Sequence, residues 1–212
     1  MYACLCGDIA DNWVTPKVMH VQREQVLSLG EELTMVRVWL EIMREKLKVV
    51  VSGNHELRSY ELVGWDMLMD ALKDVLCLYD QHEALFTVET AEAEIPFKVR
   101  HQWKGYSKYN PTHAPENDAR FNDGSWKVAV AAHTHPAAVI REFYDEAAAE
   151  RKCVVQLGSY QYDSAFGRKL NFPRAHASGC CGLMVWPDGT MQGWHDLQQA
   201  AAYLTYLRLA NE

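Results

Sequence analysis

The sequence predicts an α/β protein with mixed sheets. In its first half, short apolar runs alternate with longer stretches of helical periodicity, a pattern typical of strands connected by helices. In its second half, several strand-like runs follow one another, so a simple doubly wound parallel sheet is not expected. Three of the apolar runs stop at polar residues that can bind metal. Ligands of open α/β sheets lie at the carboxyl ends of strands.

The first half of the chain has the clearest periodicity. Leu33, Val36 and Leu40 recur at steps of three and four, so the segment around them is predicted to be helical. Gly30 is expected to divide that segment into two helices. The elements predicted here are a strand at 1–6, helices within 17–46, a buried strand at 49–52 and a helix at 59–74.

The second half is predicted to be rich in strands. They are predicted at 75–79, 85–88, 97–100, 127–132, 139–143 and 153–157, followed by a hairpin at 182–194 and an amphipathic helix at 197–209. The polar segment 105–123 is rich in Asn, Pro and His and is expected to be a functional loop, because long structureless loops in compact domains often carry function.

Length and composition indicate one globular domain over 1–212. Apolar residues make up 49% and charged residues 23% of the 212 residues, which is ample for a sizeable core. A net charge of −7 disfavours a broad nucleic-acid-binding face. No apolar run approaches the ~18 residues of a membrane span, and no signal peptide is recognisable. The six cysteines follow no regular spacing, so reduced thiols and a cytoplasmic location are expected.

Metal-ligand residue types end the three apolar runs. The first run ends at Gly7-Asp8, the second at the sequence Gly-Asn-His-Glu of 53–56, and the third at the sequence His-Thr-His of 133–135. A glycine at a strand end allows a tight turn and a close approach to a ligand. If the three runs were neighbouring strands of one sheet, their polar ends would converge.

The residue types at these ends favour a divalent metal centre. Asp8 carries a carboxylate that can bridge two cations, and Asn54 offers an amide oxygen. His133 and His135 are two residues apart, so on an extended backbone both rings would lie on one side. His101 ends a further strand-like run. Mixed Asp, Asn and His ligands suit manganese, iron(II), zinc or nickel, and two such ions ~3.5–4 Å apart clamp a phosphate and activate water.

Other polar residues could act on a substrate. His55 follows Asn54 but would point elsewhere, where it could protonate a leaving oxygen or stabilise charge, with Glu56 holding its ring. Asp11, His113 and Tyr106 are further candidates for substrate binding. His113 would either reach a substrate phosphate or order its own loop, and Tyr106 would either stack on a base or pack.

Each motif by itself has an ordinary structural explanation. A Gly-Asp or Gly-Asn-His sequence is often a turn, and a His-x-His sequence is often part of a plain strand. The combination is more specific, because each motif ends an apolar strand. For the whole set, a metal site is the better interpretation.

Together these motifs resemble those of the calcineurin-like metallophosphoesterases. The resemblance spans 7–135 and consists of Gly-Asp-x-x-Asp at 7–11, Gly-Asn-His-Glu at 53–56, His101, and Ala-His-Thr-His at 132–135. The tract 109–113 is similar to a branch of that family common in bacteriophage genomes.

The resemblance implies a fold and a set of roles. The fold would be a four-layer α/β/β/α sandwich, with helices outside two mixed sheets. Asp8 would bridge the metals, and Asn54, His101 and His133 would complete one metal site. His135 would bind the other metal, and His55 would be the acid or the charge-stabilising group.

Two features depart from the pattern of the family. Ala132 replaces the usual glycine, which is a small change. The larger departure is the absence of the Asp-x-His motif, since only six residues precede Gly7. The first strand of the sheet and two ligands of the second metal are therefore missing. The sequence is either a fragment, or a chain completed by a strand of another chain, or a protein that works weakly or not at all with one metal.

The resemblance leads to an expected activity and an alternative. The activity is hydrolysis of phosphate mono- or diesters, with nucleotides or nucleic acid as candidate substrates and one or two divalent ions per chain. The alternative is a catalytically weak or inactive single-metal protein that binds or regulates a partner. A structural zinc domain is disfavoured, because such sites prefer cysteine-rich tetrahedra and the cysteines lie outside these motifs.

Overall fold

The computed structural model describes residues 1–16, 25–107, 109–135, 138–160 and 179–210. It confirms an α/β protein with mixed sheets. The chain divides into two compact units. The first unit is Met1–Ala84 with Val99–Gln102, and the second unit is Leu85–Lys98 with Trp103–Glu212. Among the described residues, no helix combines the length and apolarity that crossing a membrane requires.

The first unit contains a three-stranded parallel sheet. Its strands are β1 (Ala3–Cys6), β2 (Leu47–Val51) and β3 (Leu78–Asp80), in the order β1-β2-β3. Cys6 lies opposite Val51, which in turn lies opposite Asp80. The carboxyl ends of all three strands therefore meet at one edge of the sheet.

The first unit also has three helices, of which the first and the third bury side chains with the sheet in one apolar core. They are α1 (Leu29–Met43), α2 (Leu57–Val63) and α3 (Met67–Leu72). Val36 and Leu40 of α1 are almost fully buried, as their spacing predicts. The buried core consists of Ala10, Val36, Leu40, Leu47, Val50, Met67, Leu68 and Leu72.

The predicted helix boundaries of this unit need two corrections. Gly30 does not divide a helix but lies in the first turn of α1, which begins after a capping box formed by Ser28 and Glu31. The helix predicted at 59–74 is two helices. Gly64 ends α2 with a φ of 71°, and the Asp66 side chain accepts a hydrogen bond from the Met69 N–H at the start of α3. Residues 17–24 of the predicted helical segment lie outside the described residues.

The second unit is built on a five-stranded mixed sheet. Its strands are β4 (Ala84–Glu89), β5 (Glu94–Val99), β6 (Val128–Ala131), β7 (Val139–Asp145) and β8 (Glu150–Gln156), in the order β4-β5-β6-β8-β7. Strands β6 and β8 are parallel, whereas β7 and β8 are antiparallel. The predicted hairpin is confirmed as β9 (Gly182–Val185) and β10 (Met191–Trp194). The predicted last helix is confirmed as α5 (Leu197–Ala210).

A helix lies inside the segment that was expected to be a loop. Helix α4 (His113–Phe121) buries small residues such as Ala114 and Ala119. Pro115 lies in its first turn, where the missing N–H has no intrahelical acceptor to lose. The buried face of α4 is made of small residues among polar ones, so the sequence shows little helical periodicity.

Lys152 is a fully buried cation in the second unit. Its Nζ donates hydrogen bonds to the backbone carbonyl groups of Trp126, at 2.7 Å, and of Gly124. It also lies 3.0 Å from a Glu150 carboxylate oxygen and 3.6 Å from one of Asp145, which is itself 2% exposed. This ammonium group therefore neutralises a buried carboxylate.

Replacing Lys152 with Met should destabilise the protein by about 3–5 kcal/mol, because Asp145 is left buried without its cation. Urea denaturation measures this change. The matched control is Lys104→Met at an exposed position, which should change the free energy of unfolding by less than about 0.5 kcal/mol. Equal effects of the two substitutions would contradict the role given to Lys152.

Candidate metal centre

Two glycines allow the loops after β1 and β2 to touch. A Cβ atom on Gly7 would lie 2.2 Å from the Gly53 nitrogen, and a Cβ atom on Gly53 would lie 2.1 Å from the Asp8 Oδ1. Gly7 also has a φ of +73°. The close contact places Asp8 and Asn54, which follow these glycines, at the same edge of the sheet.

The carboxylate of Glu56 holds the two loops together. It is 2% exposed and accepts hydrogen bonds from the backbone N–H groups of Asp8, Ile9, Ala10 and Gly53, at 2.8, 2.6, 3.0 and 2.8 Å. The sequence predicted that Glu56 would hold the ring of His55. Among the described residues Glu56 makes no such contact, because both of its oxygens face the backbone of the loops.

Asp11 is the carboxylate beside the His55 ring. The His55 Nδ1 lies 3.4 Å from the Asp11 Oδ1, and the His55 Nε2 lies 3.9 Å from the Asp8 Oδ2. The hydrogen bond from His55 is the largest cause of a lowered pKa of Asp11. The ring is therefore oriented by Asp11 and directs its other nitrogen towards Asp8.

A second layer of buried polar residues supports this loop. Glu32 of α1 accepts hydrogen bonds from the N–H groups of Asp11, at 2.6 Å, and of Asn12, at 3.2 Å. The Asn12 Nδ2 donates to the His55 carbonyl at 2.7 Å, and the Ser59 hydroxyl donates to the Asn12 Oδ1 at 2.9 Å. The sequence motifs did not identify these residues. One signal was available for Glu32, because it lies four positions before Val36 and therefore on the buried side of the same helix, where an acidic residue is unusual.

His101 contacts both loops through its two ring nitrogens. Its Nδ1 lies 2.7 Å from the Cys6 carbonyl oxygen, and its Nε2 lies 3.2 Å from both the Asn54 Oδ1 and the Asp8 Oδ2. Because Nδ1–H donates to the carbonyl, Nε2 is the nitrogen that faces the two side-chain oxygens, each of which could also bind a metal. Ligand bonds of about 2.0–2.2 Å would separate neighbouring ligand atoms by about 2.8–3.6 Å, so these spacings fit one shared ion.

Asp8 and His101 of the first unit are candidate metal ligands that the structure brings together. Both belong to a group of side chains whose possible ligand atoms lie within 4.8 Å of one another. The Asp8 Oδ2 and the Asn54 Oδ1 both face the His101 Nε2, so these donors support a metal-binding group in this unit.

The backbone around the two histidines after β6 differs from the prediction. The strand β6 belongs to the five-stranded sheet, so the three motif strands are not neighbours in one sheet. His133 and His135 are not extended but have φ values of 68° and 50°. The Thr134 N–H donates to the Ala132 carbonyl at 2.8 Å, which closes a tight turn at His133.

Left-handed backbone conformations coincide with the predicted ligands. Five non-glycine residues of the described chain have a positive φ, and three of them are Asp8, His133 and His135. Such conformations cost ~1–3 kcal/mol each and persist where the surrounding structure holds them, often at functional sites. Their position at the predicted ligands favours function over chance.

Asp8 and His101 form an ion pair when no metal is bound. Burial favours a raised pKa for Asp8, but the hydrogen bond and charge of His101, with His55, lower the pKa to about 2. Burial favours a lowered pKa for His101, but Asp8 outweighs it and the pKa of His101 is raised. The proton on the imidazole therefore takes the place that a cation could take.

Arg58 is a cation beside this cluster that the sequence analysis did not identify. Its guanidinium donates a hydrogen bond to the Asp11 carbonyl at 2.5 Å. Its pKa is lowered mainly by burial and raised in turn by the charges of Asp8 and Asp11. Arg58 is half-buried near the carboxylates of Asp8 and Asp11. It therefore places a positive charge at the edge of the sheet where Asp8 and His55 lie.

The remaining predicted residues lie in the second unit. His113 is the first residue of α4 and is exposed, and the Tyr106 side chain is also exposed. Their predicted roles in substrate binding stay predictions.

No protein family, curated protein or solved structure matches the chain. The resemblance noted in the sequence therefore rests on the motifs themselves.

Replacing Glu56 with Gln should destabilise the protein by about 2–4 kcal/mol, because the amide group would turn a donor towards N–H groups that now share a carboxylate. Denaturant unfolding measures the change. Glu61→Gln on the exposed face of α2 is the matched control and should be nearly neutral. A neutral Glu56→Gln would show that the carboxylate is not needed to hold the loops.

The Asp8–His101 pair should give the metal-free protein a bell-shaped stability profile. The Asp8 contribution is present above its ordinary pKa of 3.8 and is lost as the pH falls through about 2. The His101 contribution is present below its ordinary pKa of 6.5 and is lost as the pH rises through its raised value. Thermal unfolding in a chelator should therefore show a maximum between these limits. Asp8→Asn should flatten the profile, and an unchanged profile in this variant would contradict the pairing.

Proposed function

We propose that the chain is a metal-dependent phosphoesterase that hydrolyses phosphate mono- or diesters. One observation carries the proposal. The loops after β1 and β2 place a carboxylate oxygen and an amide oxygen each 3.2 Å from an imidazole nitrogen that follows β5, and an oriented histidine lies beside them. Asp8, Asn54 and His101 supply these atoms, and His55 is the neighbouring ring.

Asp8, Asn54 and His101 are the proposed metal ligands of the first unit. His133 and His135, predicted from their motif, are the proposed further ligands. The set suits manganese, iron, zinc or nickel. A divalent ion would supply Lewis-acid polarisation of a phosphoryl oxygen and a more acidic water. The Cys6 carbonyl fixes the His101 tautomer and Glu56 fixes the loop of Asp8, so both residues would hold the ligands in place for an ion.

His55 is the proposed general acid. Asp11 accepts from its Nδ1–H, which leaves Nε2 directed towards the side of Asp8. A protonated Nε2 could give its proton to the leaving oxygen of the ester or stabilise the charge that develops on it. Arg58 is proposed to attract the anionic substrate, because its guanidinium lies among the same residues and a phosphate suits its planar donors.

The motifs of the sequence support further proposals: a four-layer α/β/β/α sandwich, a place in the bacteriophage branch, and a nucleotide or nucleic-acid substrate. The irregular spacing of the cysteines supports a proposed cytoplasmic location. The substrate-binding roles of Asp11, His113 and Tyr106 belong with them.

A single-metal binding or regulatory protein is the second candidate. One observation favours it. The donors that the structure brings together in the first unit, from Asp8, Asn54 and His101, surround one position and suit one ion. In this case the protein would bind one ion and act through its surfaces, with little hydrolysis.

Metal content and hydrolysis, measured on the same sample, test these candidates. The purified chain is analysed for bound metals and assayed with a chromogenic phosphodiester and added manganese. Bound metal with hydrolysis that Asn54→Ala abolishes supports the phosphoesterase. One metal per chain without hydrolysis supports the second candidate. Absence of metal binding would contradict both.

His55→Asn should lower kcat by about 10²–10⁴-fold, because the general acid is lost while metal binding is kept. Steady-state kinetics and metal content of the same variant measure the two effects. His82→Asn, at an exposed loop position, is the control and should leave both unchanged. Full activity of a metal-loaded His55→Asn protein would exclude the assigned role.

Arg58→Ala should raise KM and weaken inhibition by inorganic phosphate about 10-fold or more, because a cation that attracts the substrate is removed. Arg44→Ala, at the exposed residue that caps the C-terminus of α1, is the matched control. If Arg58 only supports the Asp11 loop, the unfolding midpoint would fall while phosphate inhibition of the remaining activity stayed the same.

A further inference from the structure

Helix α1 carries a second apolar stripe that faces solvent. Val36 and Leu40 lie on its buried side, within the core of the first unit. The other side also carries large apolar residues, spaced at i, i+3, i+4 and i+7, where a surface helix normally has polar ones. They are Met35, Val38, Trp39 and Ile42, which are 50%, 55%, 38% and 73% exposed.

The spacing places these four side chains on one narrow strip of the helix surface. At 100° per residue they fall within an arc of about 100°. Residues three and four apart on a helix are neighbours, so the four side chains form one continuous surface, called here the α1 stripe. A continuous apolar strip of this kind marks an interaction surface more often than isolated exposed apolar residues do.

Opposite charges lie at the two ends of the α1 stripe. Glu31 is one turn before Met35, in the first turn of the helix. Lys46 is four residues after Ile42, in the turn that closes the helix, where its N–H donates to the Met43 carbonyl at 2.8 Å. Both side chains are exposed. The α1 stripe thus has an acidic end and a basic end.

This charge arrangement complements itself in one orientation. If two copies of α1 lie antiparallel, with a twofold axis between Val38 and Trp39, Met35 of one copy faces Ile42 of the other. Glu31 then faces Lys46 at both ends of the pair. A parallel pairing would instead set Glu31 against Glu31 and Lys46 against Lys46, which is unfavourable.

We propose that a second copy of this chain docks on the α1 stripe, forming an antiparallel helix pair about a twofold axis. An isologous contact of this kind needs the same patch on both partners, as the α1 stripe provides. The fifteen-residue helix is about 22 Å long, so the contact is small beside the ~800 Å² per partner of a stable complex. We therefore expect the dimer to be weak and reversible. The proposal is independent of the phosphoesterase function.

Sedimentation velocity of the full chain over about 1–200 µM tests the proposal. The mass should rise from the monomer value of 24.2 kDa towards twice that value as the concentration increases. Trp39→Glu and, separately, Ile42→Glu should keep the protein monomeric, because each buries a charge in the pair. The control is Leu76→Glu, at a residue that is 90% exposed and outside α1, and it should dimerise like the wild type.

Lys46→Glu tests the orientation of the pair. It places two carboxylates at each end of an antiparallel dimer. The dimer should therefore dissociate more at low salt and form again when added salt screens the repulsion. Circular dichroism verifies that each variant is folded. A wild type that stays monomeric throughout would overturn the proposal, whatever else binds the α1 stripe. Dimers that survive both Trp39→Glu and Ile42→Glu would overturn it too.

Discussion

The first unit depends on the hydrogen bonds that the buried Glu56 carboxylate accepts. Where β1 and β2 end, the backbone leaves the sheet and its N–H groups lose their ladder partners. Four of these groups donate to one carboxylate, which joins the two loops. The glycines at 7 and 53 are required because the loops approach more closely than any side chain would allow. The position and left-handed backbone of Asp8 follow from this contact.

The polar network around this carboxylate links fold and chemistry. Glu32 and Asn12 fix the turn that carries Asp11, and Asp11 orients His55. Asp8 and His101 neutralise each other in the absence of metal, which lets both stay largely buried. A divalent ion bound at this site would compete with the imidazole proton for the same oxygens, so metal binding would change the pH dependence of stability.

The motifs predicted the ligand types but not the backbone that presents them. His133 and His135 were expected on an extended strand, and they lie instead in left-handed conformations around a tight turn. Glu56 was expected beside a ring and lies instead beneath two loops. The sequence motif identified Glu56 as a functional residue type, but the N–H groups of Asp8, Ile9 and Ala10 that it binds lie 46–48 residues away in the sequence.

The sequence by itself determined the mixed α/β class, most strands, the last hairpin and helix, and the runs that end at Asp8, Asn54 and His133. These follow from periodicity and from residues next to each other in the chain. The tertiary structure decided that 105–123 contains a helix, that β6 pairs outside the sheet of β1, and that Glu56 joins two loops. It also decided which apolar side of α1 is buried, since both sides have helical spacing. Such choices depend on which distant segments pack together, and the local pattern of residues does not encode them.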